Sequence, residues 1–244
     1  MKTRIGLFLF AALFVPLGAL ALDLGAPGRP AADATRDALD HPVEIVAFSG
    51  VAPGMHIADI FGGGGYWSEL FAQAVGPQGG VVLHNNKAYL GFGPVSKLLE
   101  ERLAGGRLTN VVRHDREADA LDLAPASLDG ALIMLTVHDF WLQEAGWDVT
   151  ADKVLPQMRK ALKPGAFLLV IDHHARAGSG NSEATSLHRI EESFERKAIE
   201  GYGFTFEKIS ELLRNPADDH TLVVFDPKIR GRTDRFVHLY RNPG

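Results

Sequence analysis

Cysteine is absent from the 244 residues of the chain, which excludes disulfide bonds, thiolate metal sites and cysteine nucleophiles. A surplus of positive charge is also absent, because 25 Lys and Arg face 30 Asp and Glu and leave a net charge of −5. Without basic residues to neutralise phosphates, no nucleic-acid partner is expected. The 46% hydrophobic and 23% charged residues are instead ordinary for a globular protein, and they exclude a disordered chain or a polytopic membrane protein.

The first 21 residues have the pattern of a secretory signal peptide. Lys2 and Arg4 form a short basic region, an apolar stretch follows, and residues 19–21 (Ala-Leu-Ala) have the form of a signal-peptidase site. Pro16 and Gly18 interrupt the apolar stretch, which is marginal in length for a membrane span. We therefore predict a signal peptide over residues 1–21, with a retained anchor as the alternative. Cleavage would give a periplasmic or secreted protein without stable membrane insertion.

Beyond the signal peptide, the sequence predicts one domain preceded by a short lead-in. Residues 22–36 are rich in Gly, Pro, Ala and Asp and predict a flexible segment, whereas residues 37–244 carry no linker or repeat that would divide them. The domain alternates apolar runs with amphipathic stretches. Predicted strands cover residues 55–61, 79–85, 110–114, 129–137 and 166–172, and predicted helices cover residues 66–75, 94–104, 150–162 (with Thr150 as N-cap) and 183–200.

The predicted strands are almost continuously apolar, which is typical of a parallel sheet covered by helices on both faces. The end of the chain differs, because residues 204–206 and 236–241 predict two strands with no long helix between them. These two strands are expected to pair in antiparallel fashion at the sheet edge. The polar stretch 215–234 between them either covers the functional site or forms a surface loop.

A glycine-rich turn follows the first predicted strand. Asp59 ends the strand, residues 62–65 are four consecutive glycines, and a helix is predicted from Tyr66. Glycines permit a tight turn and remove side chains that would keep a ligand from the backbone. The N-terminus of the next helix offers free N–H groups to a carboxylate or phosphate. In an open parallel sheet, this position borders the ligand crevice beyond the carboxyl ends of the strands.

From about Val43 onward, the chain resembles the class I S-adenosylmethionine-dependent methyltransferases. The resemblance rests on the acid and glycine loop at residues 59–65, the Leu-Asp-Gly at 128–130 and the Leu-Lys-Pro-Gly-Ala turn at 162–166. More narrowly, the chain is similar to exported predicted methyltransferases with a Gly-Gly-Gly-Gly-Tyr-Trp loop. The resemblance implies an α/β fold that is Rossmann-like and doubly wound. Its mostly parallel seven-stranded sheet would have an antiparallel C-terminal strand and helices on both faces.

The same resemblance implies S-adenosylmethionine (SAM) as the cofactor. In the family, the glycine loop surrounds the methionine part, an acid ending the second strand holds the ribose hydroxyls, and the end of the third strand contacts adenine. This chain departs at two positions, because Phe61 replaces the first glycine of the pattern and Asn85 replaces the ribose acid. The implied cofactor-binding residues are Asp59, Gly62, Gly63, Gly64, Gly65, Asn85 and Asp115.

Histidines cluster at the predicted strand ends. His84, His114, His138 and the pair His173-His174 each end or follow an apolar run, so a parallel sheet would bring all five towards the crevice rim. Methyl transfer needs a deprotonated nucleophile, and histidine is a common general base near neutral pH. The predicted catalytic residues are His138 as first choice for the base, His173 as second choice, and Asp139.

Metal binding is an alternative use of the same side chains. Imidazole and carboxylate ligands suit zinc, iron or manganese. No compact ligand spacing such as HExxH is present, so the sequence alone predicts no metal site. The ligands in this alternative would be His138, Asp139, His173 and His188.

The leading hypothesis is SAM-dependent methyl transfer to a small-molecule substrate, with a histidine general base. The alternative is a periplasmic protein of the same fold that binds another ligand or a metal ion and transfers no methyl group. A nicotinamide-dependent oxidoreductase is disfavoured, because the pattern G-x-G-x-x-G with a later acid is not matched. The sequence does not indicate the oligomeric state.

Overall fold

The computed structural model describes residues 22–244, and the predicted signal peptide lies outside the described residues. One seven-stranded sheet forms the centre of the domain, with the strand order β3-β2-β1-β4-β5-β7-β6. The strands are β1 (His56–Ile60), β2 (Gly80–Asn85), β3 (Val111–Asp115), β4 (Leu128–Met134), β5 (Leu162–His173), β6 (Thr205–Ser210) and β7 (Arg235–Arg241).

The direction of the strands agrees with the expected architecture. Strand β7 runs antiparallel to both of its neighbours, β5 and β6, and the other neighbouring strands pair in parallel. The strand order reverses between β1 and β4, which is the topological switch point where open α/β sheets bind ligands. The Rossmann-like, doubly wound fold class is therefore confirmed, including the antiparallel C-terminal strand.

Helices cover both faces of the sheet because alternate strand residues point to opposite sides. Ala131 and Ile133 pack in one core cluster with α6 (Ala151–Ala161), whereas Leu132 between them packs in the other cluster with α2 (Pro42–Ser49) and α3 (Tyr66–Val75). Within residues 22–244, no helix combines the length and apolar character needed to cross a bilayer. The helices are α1 (Asp33–Asp40), α2 (Pro42–Ser49), α3 (Tyr66–Val75), α4 (Lys87–Gly91), α5 (Val95–Leu103), α6 (Ala151–Ala161), α7 (Ala184–Leu187) and α8 (Glu192–Gly201).

Two details of the helix predictions are wrong. The helix expected over residues 183–200 is interrupted, because His188 adopts a left-handed conformation (φ 54°) and ends α7. Ile190 then pairs with His174 as an isolated bridge before α8 begins. Thr150 occupies the N-cap position of α6, but its side chain makes no capping hydrogen bond.

Residues 22–36, expected as a flexible lead-in, make specific contacts with the domain. Arg29 Nη1 lies 2.8 Å from Asp37 Oδ2, and both side chains are largely buried. The predicted boundary at residue 37 falls inside α1, which begins at Asp33. At the end of this helix, Asp40 Oδ1 lies 2.6 Å from Arg235 Nη1 of β7, so the first helix is tied to the sheet.

Candidate functional site

The carboxyl ends of β4 and β5 border a cavity of about 250 Å³. The chain leaves β4 through Leu135, whose left-handed backbone (φ 61°) turns it into a short 3-10 helix, His138–Trp141. This turn carries two of the predicted catalytic residues to the cavity wall. Aromatic and histidine side chains dominate the lining, which includes Tyr89, Phe92, His138, Asp139, Trp147, His173, His188 and Phe225.

His138 is held between two carboxylates. Its backbone N–H donates to Asp172 Oδ2 (2.7 Å), and its Nδ1 lies 2.8 Å from Asp172 Oδ1. On the other side of the ring, Nε2 lies 3.1 Å from Asp139 Oδ1. Burial would lower the pKa of His138, but the charges of Asp172 and Asp139 outweigh burial and raise it to about 10. His138 is therefore an imidazolium at neutral pH in the ligand-free site.

Asp139 joins three polar side chains at the cavity wall. Its Oδ1 lies 3.1 Å from Nε2 of His138 and 3.7 Å from Nδ1 of His188, and Oδ2 accepts a hydrogen bond from the Tyr89 hydroxyl. Burial would raise the pKa of Asp139, but the charge of His138 lowers it well below its usual range. Asp139 is consequently a carboxylate throughout the physiological pH range.

His173 provides a contrasting histidine in the same cavity. Its ring centroid lies 5.9 Å from that of His138, and its Nδ1 lies 2.7 Å from the hydroxyl oxygen of Thr233. Burial lowers the pKa of His173 well below the ordinary value, and the positive charge of His138 adds to this effect. Two neighbouring histidines thus have opposite protonation at neutral pH, with His138 charged and His173 neutral.

The other strand-end histidines do not line this cavity. His84 Nε2 lies 2.9 Å from the carbonyl oxygen of Arg116, and His114 Nε2 lies 2.7 Å from that of Leu121. His174 points to a different cluster, where its Nε2 lies 3.4 Å from Glu192. Of the five histidines expected towards the crevice rim, His138 and His173 therefore share this cavity, whereas His84, His114 and His174 contact other groups, because successive strand residues alternate between the faces of the sheet.

Asp59 lies at the base of the glycine loop and is almost completely buried. The Ser68 hydroxyl donates to its Oδ2 (2.6 Å), whereas its Oδ1 has no hydrogen-bond partner among the described residues. Burial raises the pKa of Asp59 to about 6. A Cβ at Gly62 would lie 2.6 Å from this carboxylate, so the chain needs glycine there, while a Cβ at Gly63 would meet nothing within 4 Å. The loop is therefore open at Gly63 and closed against protein at Gly62.

Asn85 serves the loop itself. Its Oδ1 accepts a hydrogen bond from the Gly63 N–H (2.9 Å), and its Nδ2 donates to the Gly63 carbonyl (3.0 Å). The side chain predicted to reach a ribose thus fastens the glycine turn to the end of β2. Asp115, predicted near the adenine, lies at the end of β3 in an ion pair with Arg113 (2.8 Å).

Phe61, directly before the glycine loop, contacts a side chain of the main cavity. Its backbone is left-handed (φ 55°), and its buried ring stacks on Tyr89 with centroids 4.9 Å apart. A second cavity, of about 140 Å³, lies beside the ends of β2 and β3 and is lined by Asn86, Ala88, Glu117, Ala118, Asp119, Gly146 and Asp148. This second cavity shares no lining residue with the main cavity.

The polar stretch 215–234 covers the main cavity instead of forming a detached loop. Val224 and Phe225 line the cavity, and Thr233 contacts His173. A fully buried ion pair between Arg189 and Asp218 (2.9 Å) holds this stretch against the segment between α7 and α8. The sequence did not single out Tyr89 or Asp172 for the site, because their contribution depends on contacts with residues 34 or more positions away.

Comparison with known proteins supports the architecture. No family model matches the chain. In sequence it is 29% identical over 177 residues to the ubiquinone/menaquinone biosynthesis C-methyltransferase UbiE of Ectopseudomonas mendocina (strain ymp). The alignment covers 72% of this chain, and the chain spans 59% of the length of that relative.

Solved structures with the same fold include a SAM-dependent methyltransferase from Aquifex aeolicus, with a TM-score of 0.61, 18% identity, and coverage of 84% of this chain and 92% of that one. An S-adenosylmethionine-dependent methyltransferase from Mesorhizobium loti matches with a TM-score of 0.55, 17% identity, and coverage of 81% and 95%. At these identities the matches show the fold, which is that of the class I methyltransferases. The activity has to be argued from the site.

Proposed function

We propose that the protein is a SAM-dependent methyltransferase that acts on a small molecule bound in the cavity of about 250 Å³. The observation that carries the proposal is the position of this cavity, which lies beyond the carboxyl ends of β4 and β5 and is lined by Tyr89, whose ring stacks on Phe61, the residue that precedes the glycine loop. The similarity to UbiE proteins and the fold support the same chemistry. The fold alone would not, since folds host many activities.

The residues around the loop fit the charge and shape of SAM. When bound, SAM supplies an electrophilic methyl group on a sulfonium. The unpartnered Oδ1 of Asp59 is buried beneath the loop, so it would pair with the ammonium of the methionine part only after the loop moves, whereas the open face of Gly63 leaves the backbone accessible. The cavity lined by Asn86 and Glu117 would take the adenosyl part. Asn85 contributes by shaping the loop, since Gly63 already uses its amide.

His173 is the general base in this proposal, and His138 has a different role. A base must be unprotonated, and the buried His173 is neutral whereas His138 is charged. When His173 Nδ1 donates to Thr233, Nε2 is the proton acceptor. Both ring nitrogens of the His138 imidazolium already face carboxylates, Asp172 at Nδ1 and Asp139 at Nε2, so in this proposal His138 supplies positive charge at the cavity wall and donates no hydrogen bond to the substrate. This assignment reverses the order that the sequence favours.

The cavity lining indicates the class of substrate. The cavity is lined by four aromatic rings (Tyr89, Phe92, Trp147 and Phe225), by aliphatic side chains, and by polar side chains that include three histidines, Asp139 and Glu144. A small planar molecule with one acidic hydroxyl, such as a phenol or an enol, would place its ring among the aromatic side chains and its oxygen beside the polar side chains. Deprotonation of that hydroxyl makes the adjacent ring carbon nucleophilic, which is the requirement for carbon methylation, the reaction named in the UbiE relatives.

Calorimetric titration of the mature protein with SAM and S-adenosylhomocysteine tests cofactor binding. We expect saturable binding of one equivalent, whereas the absence of heat up to about millimolar ligand, equivalent to about −4 kcal/mol, would overturn the proposal. Such a result would favour the alternative, a methyltransferase-fold protein that binds another ligand. The specific observations in favour of that alternative are the engagement of Asn85 by Gly63 and the Phe61–Tyr89 stack.

Variants test the base. Once a substrate is found among small phenols and enols, His173→Gln should lower the turnover rate by about 10²- to 10⁴-fold while SAM binding persists. His114→Gln is the matched control, because His114 contacts a backbone carbonyl outside the cavity. Unchanged turnover in His173→Gln would assign the base elsewhere. We further propose that the protein acts after export, which N-terminal sequencing of the mature protein would test.

A further inference from the structure

We propose that His138, Asp139 and His188 form a binding site for a divalent first-row transition-metal ion. One ligand atom from each residue lies within 4.8 Å of the others. Asp139 Oδ1 lies 3.1 Å from His138 Nε2 and 3.7 Å from His188 Nδ1. Ligands about 2.1 Å from one ion lie roughly 3.0–3.4 Å apart at neighbouring positions, so small side-chain movements would complete the site.

The surroundings of His138 match those of a metal ligand. Protein metal sites commonly pair a ligating imidazole with a carboxylate on its other nitrogen, which fixes the ring and its tautomer. Asp172 does this for His138, because it contacts Nδ1 and also accepts the backbone N–H of the same residue. The Asp172 side chain is completely buried and also accepts the His173 N–H, so its position is fixed. Nε2 of His138 is thereby directed at Asp139 and the cavity.

The conformation of His188 supports the same site. Helices commonly end at a residue in the left-handed conformation, which changes the direction of the chain at that point. His188 has φ 54°, ends α7, and places its ring 5.4 Å from that of His138. The ring of His188 packs on Phe225, and its Nδ1 lies 3.7 Å from the same Asp139 oxygen that contacts His138. A shared metal ion accounts for all three side chains.

The donor set indicates the class of metal and its ligand. Two imidazoles and one carboxylate suit Zn²⁺, Fe²⁺, Mn²⁺ or Co²⁺, and three protein ligands leave coordination positions open. All three residues line the main cavity, so an open position would face a molecule bound there. The ion would accept an oxygen donor such as a phenolate or enolate. It would carry the positive charge that the imidazolium of His138 carries in the metal-free site.

Binding of Co²⁺ and Zn²⁺ to tag-free, EDTA-treated protein tests the site directly. We expect one equivalent by calorimetry, and visible absorption from bound Co²⁺ that Zn²⁺ displaces. His188→Ala should weaken binding by more than about 100-fold, and Asp172→Asn should weaken it by about 10- to 100-fold as a positioning residue. His188 is partly exposed, so its removal is compatible with folding. His56→Ala is the control, because His56 is exposed at the amino end of β1, whereas the cavity lies at the carboxyl ends of the strands.

Metal binding and SAM binding are measured separately, so the metal site and the methyltransferase proposal can fail independently. Absence of stoichiometric binding, or equal binding by wild type and His188→Ala with unchanged circular dichroism, would overturn the metal site. SAM binding by the metal-free protein in that case would leave the proposed function standing. Conversely, a protein that binds Co²⁺ through His188 but gives no heat with SAM would retain the metal site and lose the methyltransferase proposal.

Discussion

Replacing Asp59 by Asn should stabilise the protein at neutral and alkaline pH. Burial raises the pKa of this carboxyl group from 3.8 to about 6, so its ionisation is less favourable in the folded state than in the unfolded chain. At 1.36 kcal/mol for each pKa unit, the difference amounts to about 3 kcal/mol once both states are ionised. Asparagine has nearly the same shape and no charge. The variant should therefore gain up to about 3 kcal/mol in free energy of unfolding above pH 6.

The pH dependence of the free energy of unfolding shows whether Asp59→Asn acts by removing a charge or by changing the packing. Because the pKa of Asp59 is raised in the folded state, the wild type loses stability as the pH rises from about 4 through about 6. Urea unfolding of wild type and Asp59→Asn at pH 8 and pH 4 measures the effect, and the advantage of the variant should fall below about 1 kcal/mol at pH 4. An advantage that is absent at pH 8, or equal at both pH values, would refute the reasoning.

The variant Ser68→Ala tests the origin of the pKa of Asp59, and SAM titration of Asp59→Asn tests whether this carboxylate binds the cofactor. Ser68→Ala removes the hydrogen bond that lowers the pKa of Asp59, so the pH transition of the wild-type protein should move upward in this variant. If the carboxylate exists to meet the ammonium of SAM, Asp59→Asn should also weaken SAM binding, by roughly 10- to 100-fold. If Asp59→Asn is more stable but binds SAM with unchanged affinity, Asp59 does not contact the cofactor.

Three further substitutions test the packing and charge pairs. Burial would lower the pKa of His238, but two glutamates raise it to about 9. The free energy of unfolding of the wild type should therefore fall as the pH rises through 9, because the charged histidine is lost. Urea titrations of His238→Gln should show no such fall. Arg189→Met should lower the free energy of unfolding by about 3–5 kcal/mol, measured by thermal unfolding, because the carboxylate of Asp218 would stay buried without its charged partner. Gly130→Ala should cost about 1–3 kcal/mol, because a Cβ would lie 2.3 Å from the ring of Phe167.

Controls accompany these substitutions. Gly201→Ala adds a methyl group where nothing lies within 4 Å, so it should leave stability unchanged or slightly higher, in contrast to Gly130→Ala. Flat wild-type stability between pH 7 and pH 10 would contradict the argument for His238. A loss below about 1 kcal/mol for Arg189→Met would show that solvent reaches the remaining carboxylate.

The centre of the sheet was predictable because strands β4 and β5 are buried on both faces. Continuous apolar runs at residues 129–137 and 166–172 permit few alternatives, and they correspond to β4 and β5. The helix over residues 66–75 was also predicted to the residue, because a glycine precedes it and another follows it. Local pattern and burial agree in these segments.

The site was less predictable because it depends on contacts distant in sequence. His138, Asp139 and His173 were found as strand-end residues, and they do share a cavity. The break at His188 follows from the pairing of Ile190 with His174, which no helical periodicity reveals. Without that break, a regular helix would carry His188 in a different direction.

The tie between Asp40 and Arg235 has a consequence for how the protein is made. These two residues are 195 positions apart, and their charged groups are both buried. Strand β7 also inserts between β5 and β6, so neither the sheet nor this ion pair is complete until residues beyond 235 have left the ribosome. The tertiary structure of the nascent chain therefore stays incomplete during synthesis, and the apolar edge of β5 that later pairs with β7 stays exposed. A chaperone that binds such an edge would act on this chain before β7 pairs with β5.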